Sequence, residues 1–95
     1  MTYKLTFLES AQKEWNKLSP HLQRLFKAKL EKILANPCIP KNRLSGMEGC
    51  YKIKLRSVGY RLVYRVFKDR VVVQVIAVGK RDKNFIYEMA ANRLC

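Results

Sequence analysis

Two neighbouring segments of the chain, residues 51–56 and 60–67, alternate between apolar and cationic side chains. Successive side chains of a β-strand point to opposite faces, so this period of two predicts a pair of strands joined at 57–59. One face is then apolar and carries Tyr51, Ile53, Leu55, Tyr60, Leu62, Tyr64 and Val66. The other face carries Lys52, Lys54, Arg56, Arg61, Val63 and Arg65.

This cationic face restricts what the chain can do. Like charges that face each other across strands destabilise a sheet, so their concentration here favours a role in binding a polyanion. The same alternation is also typical of a strand with one solvated face, and the pattern alone leaves both interpretations open.

Composition supports a polyanionic partner. The chain has 95 residues and a formal net charge of +13, which indicates nucleic acid, an acidic protein or an anionic surface. Its length predicts a single domain, residues 1–95. We expect a cytoplasmic location without a membrane partner, because no apolar run could span a bilayer. The three cysteines are widely spaced, which favours reduced thiols and no metal site or cofactor.

The remaining patterns predict an α+β fold in the order β-α-α-β-β-β-α. We expect a strand at 2–8, helices at 10–18 and 20–35, strands at 51–56, 60–67 and 71–78, and a helix at 84–94. Ser19 suits a helix N-cap and Pro20 the first helical position. Gly79 is expected to end the last strand. The predicted architecture is a twisted, mainly antiparallel sheet with helices packed on one face and the cations on the other.

The titratable residues offer no conventional acid–base pair. His21 is the only histidine, and it is interpreted as a solvated side chain. The carboxylates are scattered over helices and turns and are interpreted as solvated charge or local salt bridges, with Glu48 kept as a weak candidate because it precedes the cationic strand.

Lysine, arginine and tyrosine remain, and these can cleave RNA because RNA supplies its own nucleophile, the 2′-hydroxyl. Lys52 and Lys54 lie among other cations, which lowers a lysine pKa and favours a neutral amine. Arg61 and Arg81 can bind phosphate oxygens. Tyr87 can stack on a base, and it can equally belong to the core beside Ile86.

The whole chain resembles the RelE toxins of bacterial toxin–antitoxin systems. The resemblance is carried, in order, by EWNKL (14–18), LSGM (44–47), YKIKLRSVGYRLVYRV (51–66) and VVVQVIAVGKRDKNFIY (71–87). It implies the RelE-like microbial RNase fold and a metal-independent, ribosome-dependent endoribonuclease. Such a toxin cleaves mRNA in the ribosomal A site through attack of the 2′-hydroxyl and inhibits translation.

Carried over to this chain, the resemblance implies a catalytic site made of Lys52, Lys54, Arg61, Arg81 and Tyr87. Lys54, assisted by Lys52, would be the base, Arg61 would stabilise the transition state, and Tyr87 would stack on the base of the nucleotide. The family gives Arg81 the role of general acid; a guanidinium is effectively always protonated, so we expect it to stabilise the phosphate. At position 45 this chain has serine where relatives often have a basic residue.

The resemblance also implies partners. They are an acidic RelB-like antitoxin, the 70S ribosome with its 16S rRNA and A-site mRNA, and operator DNA through the antitoxin complex only. Two alternatives stay open at this point: a non-catalytic, ParE-like inhibitor of DNA gyrase, and a basic RNA-binding module without activity.

Overall fold

The computed structural model describes residues 2–44, 46–80 and 85–94. Their elements follow the order β1 (Lys4–Phe7), α1 (Glu9–Asn16), α2 (Pro20–Ile33), β2 (Cys50–Leu55), β3 (Tyr60–Phe67), β4 (Val72–Lys80) and α3 (Phe85–Leu94). A 3₁₀ turn, Pro40–Asn42, lies between α2 and β2. The predicted α+β fold and its element order are confirmed.

The start of α2 follows the predicted capping chemistry. The backbone N–H of Leu22 donates to the Ser19 hydroxyl at 3.3 Å, and Pro20 occupies the first helical position. The serine thus satisfies one of the N–H groups that a helix start leaves without a partner, while proline has no N–H there to satisfy. The helix ends at Ile33, two residues earlier than predicted.

Within the described residues the sheet has four strands in the order β1-β4-β3-β2. The β2–β3 and β3–β4 pairs are antiparallel, and β1 pairs with β4 in parallel. The sheet is therefore mainly antiparallel, as predicted. The central position of β4 explains why its sequence is apolar on both faces.

The prediction that Gly79 ends the last strand is wrong. β4 continues to Lys80, and Gly79 pairs with Arg61 of β3. A Cβ atom at position 79 would lie 3.2 Å from Cδ1 of Ile86 on α3. The missing side chain lets α3 approach the strand closely, which is a common reason for glycine inside a strand.

The first core cluster fills the space between the sheet and the helices α1 and α2. Its buried members include Ala11, Phe26, Leu30 and Ile33 from the helices, and Ile53, Leu55, Leu62, Tyr64, Val66, Val73, Val75 and Val78 from the strands. The predicted apolar face of β2 and β3 is confirmed, with Tyr51 and Tyr60 half-buried at its margin.

Helices pack on both faces of the sheet, so the predicted one-sided arrangement is wrong. Ile86 and Ala90 of α3 lie in the second core cluster with Leu44, Cys50, Val63, Ile76 and Ala77. Ile76 and Ala77 share this face because the β3–β4 register shifts between Val63 and Tyr64, which marks a bulge. Consequently α3 covers part of the face on which the cations lie.

Candidate active site on the cationic face

The two lysines and the first arginine of the cationic face are neighbours across one ladder. Lys52 and Lys54 lie on β2, and their side chains point to the same face because they are two positions apart. Lys54 pairs with Arg61, and Lys52 pairs with Val63. The pairing brings the three cationic side chains together at the hairpin end of β2 and β3, as the alternation predicts.

Arg61 differs from the solvated cation that the pattern suggested. Its side chain is only 8% exposed, and its Nη1 atom has no hydrogen-bond partner among the described residues. On β3 it lies between Lys54 of β2 and Gly79 of β4. A buried guanidinium nitrogen without a partner is costly, and an anionic oxygen is the group that would satisfy it.

The neighbours of Lys54 lower the pKa of its amine. The charge of Lys52 is the largest cause that lowers the pKa of Lys54, followed by the hydrogen-bonding contact between the two amines. Slight desolvation and the charges of Arg61 and Arg56 act in the same direction. A neutral lysine amine can accept a proton, which the ammonium form cannot do.

Tyr87 places an aromatic ring beside these cations. It is half-buried on the first turns of α3, where it packs against the second core cluster. The Nζ atom of Lys52 lies 6.0 Å from the centroid of its ring, at the outer limit of a cation–π contact. Tyr87 therefore packs partly against the core and also borders the cationic side chains; its role in base stacking stays a prediction.

The other predicted or adjacent residues fall into two groups. Arg81 and Ser45 lie outside the described residues. Arg56 is exposed in the turn after β2, and Arg65 is half-buried near the far end of β3. There the guanidinium carbon of Arg65 lies 4.8 Å from the centroid of the Phe67 ring.

Glu48 lies towards the opposite end of the strands. It lines an open groove of about 600 Å³ together with Arg43, Tyr51 and Phe67. This groove lies beside Gly49, just before β2 starts at Cys50, whereas Lys54 and Arg61 lie near the hairpin where β2 ends. The position of Glu48 gives it no place among the three clustered cations.

Sequence reasoning missed the ion pair between Glu14 and Arg93. The carboxylates are predicted to be solvated charge or local salt bridges, whereas Glu14 forms a bidentate, partly buried pair with the distant Arg93 of α3. The two residues are 79 positions apart, and no local pattern connects them. Only the packing of α1 and α3 against the same strand brings them together.

Comparisons with known proteins show the family to which the chain belongs. Residues 5–85 match the family model described as the ParE toxin of the type II toxin–antitoxin system parDE. The chain is also 51% identical over 94 residues to the mRNA interferase toxin RelE of Escherichia coli K12, and the match covers 99% of both proteins. The chain belongs to the RelE/ParE toxin family.

Solved structures of RelE show that the family fold extends over the whole chain. The free E. coli RelE toxin, in a mutant form with two arginines replaced by alanine, has a TM-score of 0.91 at 49% identity and covers 100% of both chains. RelE in the intact E. coli RelBE toxin–antitoxin complex has a TM-score of 0.82 at 53% identity, covering 85% of this chain and 99% of that one. The RelE-like fold is confirmed. In the part of the chain described, no helix is long and apolar enough to cross a membrane.

Proposed function

We propose that this RelE/ParE-family chain is a toxin that cleaves mRNA on the ribosome. The observation that carries the proposal is the grouping of Lys54, with its lowered pKa, and the buried Arg61, with an unpartnered Nη1, directly across one ladder. The likeness to an mRNA interferase toxin supports the same activity. Lys52 and Tyr87 complete the described part of the site, and we assign Arg81 to the same phosphate from the family resemblance.

The chemistry uses the 2′-hydroxyl of the substrate. The neutral amine of Lys54 removes the hydroxyl proton, and the oxygen attacks the adjacent phosphorus. Arg61 donates to a non-bridging phosphate oxygen and stabilises the charge that builds up there. The bond from phosphorus to the 5′-oxygen breaks, the leaving oxygen takes up a proton from water, and a 2′,3′-cyclic phosphate remains on the upstream product.

Tyr87 and Lys52 have supporting roles in this scheme. Tyr87 borders Lys52 at 6.0 Å and offers its ring to a nucleobase, which holds the nucleotide beside the amines. Lys52 keeps the pKa of Lys54 low through its own charge. The proposed proton transfer uses no histidine. The only histidine in the sequence is His21 on α2, which packs on the other side of the sheet.

The proposed dependence on the ribosome follows from the weak acid and base groups of this site, which must gain much of its rate from alignment of the substrate. Alignment of the reacting groups can supply about 7–11 kcal/mol of a barrier when an external structure imposes it. The ribosome holds a codon in a fixed position and can impose that geometry. A second basic surface favours binding to rRNA. Its exposed members on α1, on the C-cap of α1 and on α2 are Lys13, Lys17, Arg24, Lys27 and Lys32.

We also propose an acidic, RelB-like antitoxin as the partner in the cell. The net charge of +13 favours an acidic partner, and RelE relatives have been solved in complex with the antitoxin RelB and with a RelB peptide. A flexible acidic segment that covers the cationic face would block access to Lys54 and Arg61.

Primer extension on a translated mRNA, with and without ribosomes, tests the proposal. We expect new 5′ ends within codons only when ribosomes are present. Efficient cleavage of ribosome-free RNA would contradict the dependence on positioning, and no cleavage in either reaction would favour a binding module without activity. A supercoiling assay with the same protein tests the ParE-like alternative: inhibition of gyrase without mRNA cleavage would select it.

A further inference from the structure

Glu14 of α1 and Arg93 of α3 form a bidentate ion pair beside β4. Nη1 of Arg93 donates to Oε1 of Glu14 at 2.8 Å, and Nη2 donates to Oε2 at 2.9 Å. The side chains are only 19% and 23% exposed for Arg93 and Glu14. A bidentate pair between a guanidinium and a carboxylate fixes the relative orientation of the two side chains as well as their distance. Partial burial reduces the screening of this pair by salt.

The pair also binds the backbone of β4 beyond the end of β1, where no other strand of the described residues accompanies β4 on this side. β1 accompanies β4 only from Val72 to Val75. Beyond that point Val78 N–H donates to Oε1 of Glu14 at 3.1 Å, and the carbonyl of Ile76 accepts from Nη1 of Arg93 at 2.8 Å. Glu14 and Arg93 thus satisfy backbone groups that a longer β1 would have paired, and they attach α1 and α3 to the same stretch of β4.

The attachment lies towards the C-terminal end of the helix that carries Tyr87. Arg93 lies six residues after Tyr87, a distance of about 9 Å along the helix axis. Ile86 and Ala90 pack α3 on the sheet with apolar contacts, which are not directional. The hydrogen bonds of Arg93 are directional, so they set the position of α3 along the sheet more sharply than packing alone.

We propose that Glu14 and Arg93 are positioning residues for Tyr87, because their ion pair holds α3 where the Tyr87 ring borders Lys52. This role rests on the proposed nuclease function, in which Tyr87 stacks on a base of the mRNA. Neither residue needs to contact the RNA. The pair thus connects the position of α3 with the arrangement of side chains on the cationic face.

Amide hydrogen exchange on the complete protein tests whether the pair holds α3. The first variant, Glu14→Gln, keeps an oxygen for Val78 N–H but removes the negative charge, and the second is Arg93→Gln. The control is Lys4→Gln on β1, which also removes one charge, at an exposed position. We expect amides of α3 to exchange about tenfold faster or more in both pair variants, because a hydrogen bond to a charged group contributes a free energy of that order. Amides of α2 should keep their protection, and Lys4→Gln should change neither helix.

Ribosome-bound mRNA cleavage, measured as a single-turnover rate at saturating ribosomes, tests the positioning of Tyr87. We expect Arg93→Gln to lower the rate about tenfold, because it removes hydrogen bonds to a charged group. Arg93→Lys should lower the rate less, since lysine keeps the charge but cannot form the bidentate contact. In a Tyr87→Ala background Arg93→Gln should have no further effect. This non-additivity is the result that a purely structural role would not produce.

Three results would overturn the inference. They are unchanged exchange in α3, an equal loss of rate from Arg93→Gln with and without the Tyr87 ring, and loss of α2 protection in both pair variants, which would make the pair a support of the whole fold. A wild-type protein that does not cleave mRNA would instead refute the proposed function, while the exchange experiment would still decide whether the pair holds α3.

Discussion

Lys54 lies directly opposite Arg61 across the antiparallel ladder between β2 and β3. Side chains in such a pair have their Cβ atoms about 4.5–5.5 Å apart, so the two positive charges repel each other. This arrangement costs stability. The charge of Lys52 is the main cause that lowers the pKa of Lys54, and the charge of Arg61 acts in the same direction. The same pairing that weakens the sheet therefore places the proposed base and the proposed phosphate-binding group next to each other.

Replacement of Lys54 by methionine should remove cleavage without unfolding the protein. A positioned general base contributes a factor of about 10²–10⁴, so we expect the single-turnover rate on ribosome-bound mRNA to fall by that amount. Lys4→Met, at an exposed position on β1, is the matched control and should cleave like the wild type. Cosedimentation with ribosomes should remain, and a Lys54→Met protein that cleaves normally would refute Lys54 as the base.

Replacement of Lys52 by methionine should move the pH–rate profile to higher pH. The charge of Lys52 is the largest cause of the lowered pKa of Lys54, so its removal raises that pKa. A smaller fraction of Lys54 is then neutral at any given pH, and the rate rises only at more alkaline pH. Arg56→Gln should shift the profile in the same direction but less, because Arg56 makes the smallest contribution. A profile that stays in place, or moves to lower pH, would argue against a neutral Lys54.

Replacement of Arg61 by methionine should stabilise the fold while it abolishes cleavage. The guanidinium is 8% exposed and its Nη1 lacks a partner among the described residues, so a well-packed apolar side chain should raise the free energy of unfolding by about 1–3 kcal/mol. Urea denaturation measures this change. Arg65→Met on the same strand, which removes a half-buried arginine stacked on Phe67, should not stabilise the protein. A less stable Arg61→Met protein would mean that the buried charge is compensated.

Tyr87 should act through its ring and not through its hydroxyl. Tyr87→Phe should keep most of the cleavage rate, while Tyr87→Ala should lose about ten- to hundredfold, since stacking on a base contributes about 1–3 kcal/mol. Single-turnover cleavage measures both variants. If phenylalanine were as damaging as alanine, the hydroxyl would be part of the chemistry and the stacking role would be wrong.

Much of the fold could be predicted from local patterns. The alternation in β2 and β3 assigned Lys52, Lys54 and Arg61 to one face, because a side chain's face depends only on its position along its own strand. Ser19 and Pro20 predicted the start of α2 because capping involves only residues within one helical turn. The end of β4 was misjudged at Gly79, since a glycine within a strand can mark either an end or a close approach by another element.

The sequence by itself determined that two strands of this chain carry a cationic sheet face, and its resemblance predicted the family that the comparisons confirmed. Only the tertiary structure decided that α3 packs on that face, that Arg61 is buried there, and that Glu14 meets Arg93 across 79 positions. Alternation and capping are local, whereas these contacts depend on the strand order β1-β4-β3-β2 and on which side of the sheet the last helix takes. Such choices depend on the total burial and hydrogen bonding of distant segments, which no short stretch of sequence contains.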